Sequence, residues 1–513
     1  MSLGTHLKSS ASGRPQDEPG GAPSRQKRGS IFSAVPTTLT GALIFFLLLW
    51  LWDFPKPMCD DLFYCGAGLN LAHGGDLSNP LLLRQHFPGH LFLIYPPVHS
   101  FVLAGWLKIF GISSASMTGF QLLMYFVTAA ATIAFLRSQA AVPWLKWLVP
   151  IGVAAAFLPF GLRPEPLAAA LIMAGFALAE DCGPNDFFLF PGFFLMALGA
   201  ATAPRTAFFG AALMAVAGYD RWILARGTGR SFSKSVAIGL AGVMAAAFLF
   251  CLMLDFRLAE FWAAFEYYSR LVAGNKLELL RVFFTRYVGV TQWAVFPLFL
   301  WLLAYSFCAP SQALKRVGMS IAATFPLVML IGGLGDGTMW FIFLGMFALT
   351  ATVLKLPKSE FTRSAIPALL VAILVLANAR PLVNVAGILT GNIRARPGDR
   401  RSEALAMRST AEHPVLVDEF VARYAFDYRI PAGFLYWPFS APFPAERAID
   451  VAIRPEDVYL LGPLNVDTLN QKHFTNLPQP VWGMGLRRWS FYREPCQVYI
   501  IPAKDLGAAG GRK

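Results

Sequence analysis

Apolar runs of about twenty residues recur along this chain from residue 34 to residue 382, and they decide what it can fold into. Wound into a helix, such a run is about 30 Å long, which matches the hydrocarbon core of a bilayer. Lipid offers no water to backbone N–H and C=O groups, so the runs must be helices that satisfy themselves. The scarcity of charge agrees: 14% of residues are charged and 56% hydrophobic, where a soluble domain carries about 25% charged residues. The net charge of +13 then points to loops that face anionic lipid. No basic stripe interleaved with aromatics offers a nucleic-acid groove, and no nucleic-acid partner is expected.

The pattern predicts a polytopic α-helical membrane protein of about eleven transmembrane helices with a small C-terminal extracytoplasmic α/β domain. The spans fall near 34–52, 117–136, 144–160, 165–180, 187–203, 205–221, 235–254, 289–308, 317–334, 337–354 and 364–382. Residues 97–111 are also apolar but short, and Pro96 and Pro97 open them, so they are expected to lie at the membrane surface. Residues 1–33 read as a disordered basic tail with Arg14, Arg25, Lys27 and Arg28. No small-residue cleavage site precedes Trp52, so the first span should stay as an anchor. With the tail inside, the inner loops carry Arg137 and Lys146, then Arg221, Arg226, Arg230 and Lys234, then Lys315 and Arg316, then Lys355, Lys358 and Arg363. Only the inner loop near Glu180 and Asp181 breaks the positive-inside rule. Counting 97–111 as a crossing would invert every one of these loops.

This arrangement divides the chain into the tail, a transmembrane domain at 34–383 and an outer domain at 384–513. Two sizeable outer loops, 53–116 and 255–288, interrupt the transmembrane part. In the last segment charge rises and Pro and Gly punctuate strand-like runs, PVLVDEF, AGFLYWPF, EDVYLLGP and CQVYIIPA, after a helical stretch near 400–411. Cys59 and Cys65 flank an acidic pair in the first outer loop. There they either form a disulfide or stay as two small reduced residues.

That acidic pair, Asp60 and Asp61, is the strongest chemical signal. Two adjacent carboxylates raise each other's pKa, and such a pair beside a membrane is costly unless its charge is used. The plain alternative is a solvated helix N-terminus, where aspartate favours the macrodipole. After the pair come Tyr64, Ala67, Gly74, Asn79-Pro80, Tyr95-Pro96-Pro97 and Phe110-Gly111, and then Arg163-Pro164-Glu165-Pro166 at the start of a span. This ordered set resembles the GT-C superfamily of integral-membrane glycosyltransferases. It is nearer to the protein O-mannosyltransferase and lipid A aminoarabinose-transferase branch, with its rhizobial galacturonosyltransferase-like members. The resemblance covers the first 210 residues; beyond them it rests on architecture, many spans followed by an outer domain.

The resemblance implies an inverting glycosyltransferase of the bacterial inner membrane, with a cytoplasmic N-terminus and a periplasmic C-terminal domain. Its donor would be a polyprenyl-phosphate-linked sugar, and its acceptor an envelope glycan, lipid or protein. In that family the acid opening the pair is catalytic, which favours Asp60 as the base, with Asp61 as the close alternative. The chemistry suits the residues: an acceptor hydroxyl needs a base in hydrogen-bond reach, and a phosphate leaving group needs positive charge more than an acid. Arg163 and Arg205 stand in otherwise apolar sequence at outer span ends and are candidates for the phosphate, against a plain reading in which they snorkel to the headgroups. Tyr64, His86 and Tyr95 are further candidates for substrate contacts, together with Arg270 and Lys276 from the loop at 255–288. For most of that loop an amphipathic interfacial helix is the preferred reading over a mobile cover. His86 and His90 are spaced for a shared helix face, but Pro88 and Gly89 lie between them, so no metal ligand is assigned. No cofactor is required by the pattern; some members of the family need a divalent cation.

Two other classes remain in view. A lipid or glycan flippase should show related halves or charges at mid-span, and neither is evident. A sensory membrane protein would explain the outer domain but not the residues after the first span.

Overall fold

The computed structural model describes residues 35–51, 61–79, 91–93, 95–139, 149, 150, 153, 162–181, 186–203, 206–228, 231–272, 316 and 319, with five strand segments further on. The described helices are α1 (Val35–Leu51), α2 (Asp61–Ala72), α3 (Val98–Phe110), α4 (Ser114–Gln139), α5 (Pro164–Asp181), α6 (Leu189–Ala200), α7 (Ala207–Thr228), α8 (Phe232–Met253) and α9 (Leu258–Val272). The chain is a polytopic α-helical membrane protein with several apolar helices. Ala115–Phe135, Ala207–Arg226 and Phe232–Met253 are long and apolar enough to cross a bilayer. Thr40–Leu51, Val98–Phe110 and Asp186–Ala200 are shorter apolar helices. At 13 residues α3 is about 20 Å long, and α6, where a span was expected at 187–203, is shorter still at 12 residues. The expected spans at 289–308, 317–334, 337–354 and 364–382 lie outside the described residues but for 319, as does most of 144–160.

The helices pack in the manner of a membrane protein, with small residues turned inward. On α8 the residues Leu240, Met244, Phe248 and Leu252, four apart, are all more than half exposed. Gly239, Gly242 and Ala246 on the same helix are buried. A Cβ on Gly242 would stand 2.5 Å from Phe190 O of α6, so the backbones meet where a side chain would not fit. Between α5 and α6 the same device recurs: a Cβ on Gly175 would lie 2.5 Å from Gly192 O. Inside α4, Thr128 and Thr132 donate to the carbonyls of Met124 and Thr128, so their hydroxyls are satisfied within the helix.

A charged cluster forms at the end of the bundle where α5 finishes. Asp186, in the short 3-10 turn before α6, lies 4.0 Å from Arg221 Nη1 of α7 and accepts from Ser235 Oγ of α8 at 3.0 Å. Arg221 also donates to Ala179 O at 2.7 Å, one of the carbonyls the last turn of α5 leaves open. Asp186 is thus answered by a cation from a neighbouring helix. Beside this cluster Asp220 of α7 pairs with Arg316.

Past α8, Asp255 and Phe256 turn the chain through positive φ (50° and 58°) into α9. This helix, Leu258–Val272, is amphipathic, while residues 273–288 of the loop lie outside the described residues. Ala264 packs with Leu77, Leu93 and Leu254, while Trp262 is 63% exposed. The strands β1 (Val415–Asp418), β2 (Phe434–Trp437), β3 (Asp450–Ile453), β4 (Phe474–Asn476) and β5 (Gln497–Ile501) form one mixed sheet in the order β2-β1-β3-β5-β4. Its β2-β1-β3 half is parallel and its β3-β5-β4 half antiparallel. Three of the four strand-like runs in the sequence appear as β1, β2 and β5; EDVYLLGP and the helical stretch at 400–411 lie outside the described residues.

Candidate functional site

The opposite end of the bundle, where α5 begins, gathers residues from four separate stretches. The reason lies in α2, whose glycines let it lie close on its neighbours. A Cβ on Gly68 would stand 3.1 Å from Ser100 O of α3, and one on Gly66 would collide with the side chain of buried Asn79. Gly74 then ends the helix at φ +89°, a conformation glycine adopts without strain, and Gly75 N closes back on Asn70 O at 2.9 Å. Asn70 holds the following turn through Asp76 and Ser78. Beneath the site Cys65, Leu69, Leu103, Phe120 and Leu167 form a shared core of α2, α3, α4 and α5. Cys65 is buried and donates to Leu162 O at 3.4 Å, while Cys59 lies outside the described residues.

Three of the nominated substrate residues meet on this core. The hydroxyls of Tyr64 on α2 and Tyr95, just before α3, are 3.0 Å apart, and their rings pack edge to face at 4.7 Å. The guanidinium carbon of Arg163, immediately before α5, lies 4.8 Å from the centre of the Tyr64 ring, a cation–π contact. Arg163 Nη2 also meets Glu165 Oε1 at 3.4 Å. The arginine is therefore held from two sides and is not a free chain reaching for headgroups. Asp61 opens α2 about one turn before Tyr64.

Two residues of this cluster were not nominated from sequence. Glu165, in the first turn of α5, is 1% exposed. His99, on the first turn of α3, is 3% exposed, hydrogen-bonded to the Tyr64 backbone, and packed against the edge of Phe120 at 5.9 Å. Burial pushes the His99 imidazole down from 6.5 to about 4, against the opposing pull of the Glu165 carboxylate and the Tyr64 bond, so the ring is neutral near pH 7. The signal for Glu165 was present as an acid two residues after an arginine at the mouth of an apolar run. His99 carried no signal that set it apart from His86 and His90.

The remaining nominated residues are not joined to this cluster by the structure. Asp60, His86, Arg205 and Lys276 lie outside the described residues. Asp61 and Arg270 have described backbones, at the start of α2 and near the end of α9, but their side chains do not belong to the described set. Among the described residues no group of three His, Cys, Asp or Glu side chains is placed to hold a metal ion.

No family model matches the chain, and no curated protein matches it. Among solved structures it is distantly similar to ArnT from Cupriavidus metallidurans bound to undecaprenyl phosphate. That similarity has 13% identity and a TM-score of 0.46, over 90% of this chain and 98% of that one. The apo structure of the same protein gives 12% identity and a TM-score of 0.43, over 92% and 99% of the two chains. Likeness at this level assigns no residue a role.

Proposed function

We propose that this protein is an inverting glycosyltransferase that moves a sugar from a polyprenyl-phosphate carrier to an envelope glycan, lipid or protein at the outer face of the bacterial inner membrane. The observation that carries the reading is the meeting of Tyr64, Tyr95 and Arg163 beside the helix that Asp61 opens. A guanidinium braced by an aromatic face and a carboxylate is oriented before any ligand arrives, and its fork of N–H donors matches phosphate oxygens. In this mechanism Asp60 or Asp61 removes the proton from the acceptor hydroxyl. The oxygen attacks the anomeric carbon from the face opposite the phosphate. The bond from that carbon to the phosphate oxygen breaks, and the polyprenyl phosphate leaves with the electron pair, stabilised by Arg163. The sheet at 415–501 belongs to a periplasmic domain in this reading.

The test is transfer by membranes from cells carrying the wild type, Asp60→Asn, Asp61→Asn or the double variant, supplied with a mixed pool of radiolabelled polyprenyl-phosphate sugars. Protein level and folding are controlled in each. Loss of turnover by about a thousandfold in one single variant identifies the base. Full turnover in a well-folded double variant sinks the mechanism, and absence of turnover in the wild type favours a transporter.

A further inference from the structure

Besides the buried Nε of Arg163, the cluster at the start of α5 holds two buried acceptor atoms that no described residue answers. His99 Nε2 and Glu165 Oε2 have no hydrogen-bond partner among the described residues. Their residues are 3% and 1% exposed, and a buried polar atom left unpaired is costly. Both residues border Tyr64: His99 bonds its backbone, and Arg163, which Glu165 holds, packs on its ring. The bond to Tyr64 strengthens the protonated imidazole, so its partner is the carbonyl and the ring N–H points there. With Nε2 unpartnered, that donor is Nδ1, and the neutral ring offers a bare lone pair at Nε2. Glu165 Oε1 is engaged by Arg163, which leaves Oε2 as a second acceptor.

Two buried acceptors in one cluster, near enough for the Glu165 charge to act on the His99 ring, call for a donor. A further carboxylate or phosphate oxygen would be repelled there, whereas a hydroxyl group can give its proton to one acceptor and lie against the other. We propose that His99 Nε2 and Glu165 Oε2 form an acceptor subsite for a hydroxyl of the sugar, placed beside the arginine that takes the phosphate. The identity of the ligand rests on the glycosyl-transfer reading; the existence of the subsite does not. His99 is here a specificity residue. A site built to accept from a hydroxyl discriminates strongly against an analogue without one, because its buried acceptors are then left unpaired.

The experiment uses the full chain in lipid nanodiscs with 15N-labelled histidine, with His99 assigned by its loss in His99→Gln. The probe is the same pool of polyprenyl-phosphate sugars. The expected result is an upfield movement of the Nε2 resonance when the pool is added, as a bare nitrogen begins to accept a hydrogen bond. In the transfer assay His99→Leu should raise KM about tenfold with little change in kcat, and His99→Gln, which keeps an acceptor, should recover most of it. A resonance already shifted before addition and unmoved afterwards means that water alone fills the subsite, and overturns the proposal. So does a stationary resonance in a protein that transfers sugar normally. Movement of the resonance in a wild type that transfers nothing keeps the subsite and removes the transferase reading instead.

Discussion

Where α5 finishes, Arg221 reaches Ala179 O and Asp186, and Asp186 takes a further bond from Ser235, so each charge is answered by another helix. Where α5 begins, Arg163 is likewise held by Glu165 and Tyr64, yet Glu165 Oε2 and His99 Nε2 face no partner among the described residues. Both clusters bury charge at the end of a helix bundle. A cluster that satisfies itself braces the helices, while one with acceptors to spare is arranged around something that is not part of the chain.

The sharpest way to break this contrast is to remove the cation of the satisfied cluster. Arg221→Leu strips Asp186 and Ala179 O of their partner, and the cost should be on the order of 4 kcal/mol. It would appear as a lower unfolding midpoint in detergent, with turnover per folded molecule unchanged. Equal loss of turnover and stability would show that the two ends do not divide the work.

The next effect is pH-dependent and belongs to the other end. His99 titrates near 4 in the folded protein and near 6.5 when unfolded, so between those values the unfolded state binds the extra proton. Stability should be complete above about pH 6.5, fall by up to about 3 kcal/mol as pH drops towards 4, and then lose nothing further from this group. Unfolding midpoints across that range, compared with His99→Gln, isolate the slope; identical slopes in both proteins would remove His99 as its source.

Arg163→Gln should lower kcat/KM by about a hundredfold, while the unfolding midpoint falls less than in Arg221→Leu. Arg163→Lys should recover little, since a point charge does not reproduce the fork. The smallest expected effect is that of Tyr64→Phe. It removes the 3.0 Å bond to Tyr95 but keeps the ring under Arg163, so about 1 kcal/mol of stability is at stake. Activity close to wild type in this variant, with a large loss in Tyr64→Leu, would assign the role to the ring face.

Much of the scaffold was legible in the linear pattern. Helix length and apolar composition gave α1, α4, α5 and α8 within a few residues, whereas α7 runs to Thr228, past the expected span end at 221. Gly74 and Gly111 stand at helix ends with positive φ, a conformation that glycine adopts readily. These features are local: a residue's neighbours within a turn or two decide helix, end or surface stripe. The identity of the paired cluster was only partly visible. Tyr64, Tyr95 and Arg163 were picked out singly, but nothing in their order says that a hydroxyl pair forms across 31 positions or that Arg163 packs on Tyr64.

The sequence by itself determined that this is a membrane protein of many apolar helices, where several of them begin and end, and which polar residues are too costly to be incidental. Tertiary structure alone decided that Asp186 is answered by Arg221, that Glu165 orients Arg163, and that His99 is buried neutral with a lone pair to offer. The physical reason is range. Helix formation and lipid burial are set by neighbours along the chain, whereas the charge state and orientation of a polar group are set by whatever distant helices bring against it.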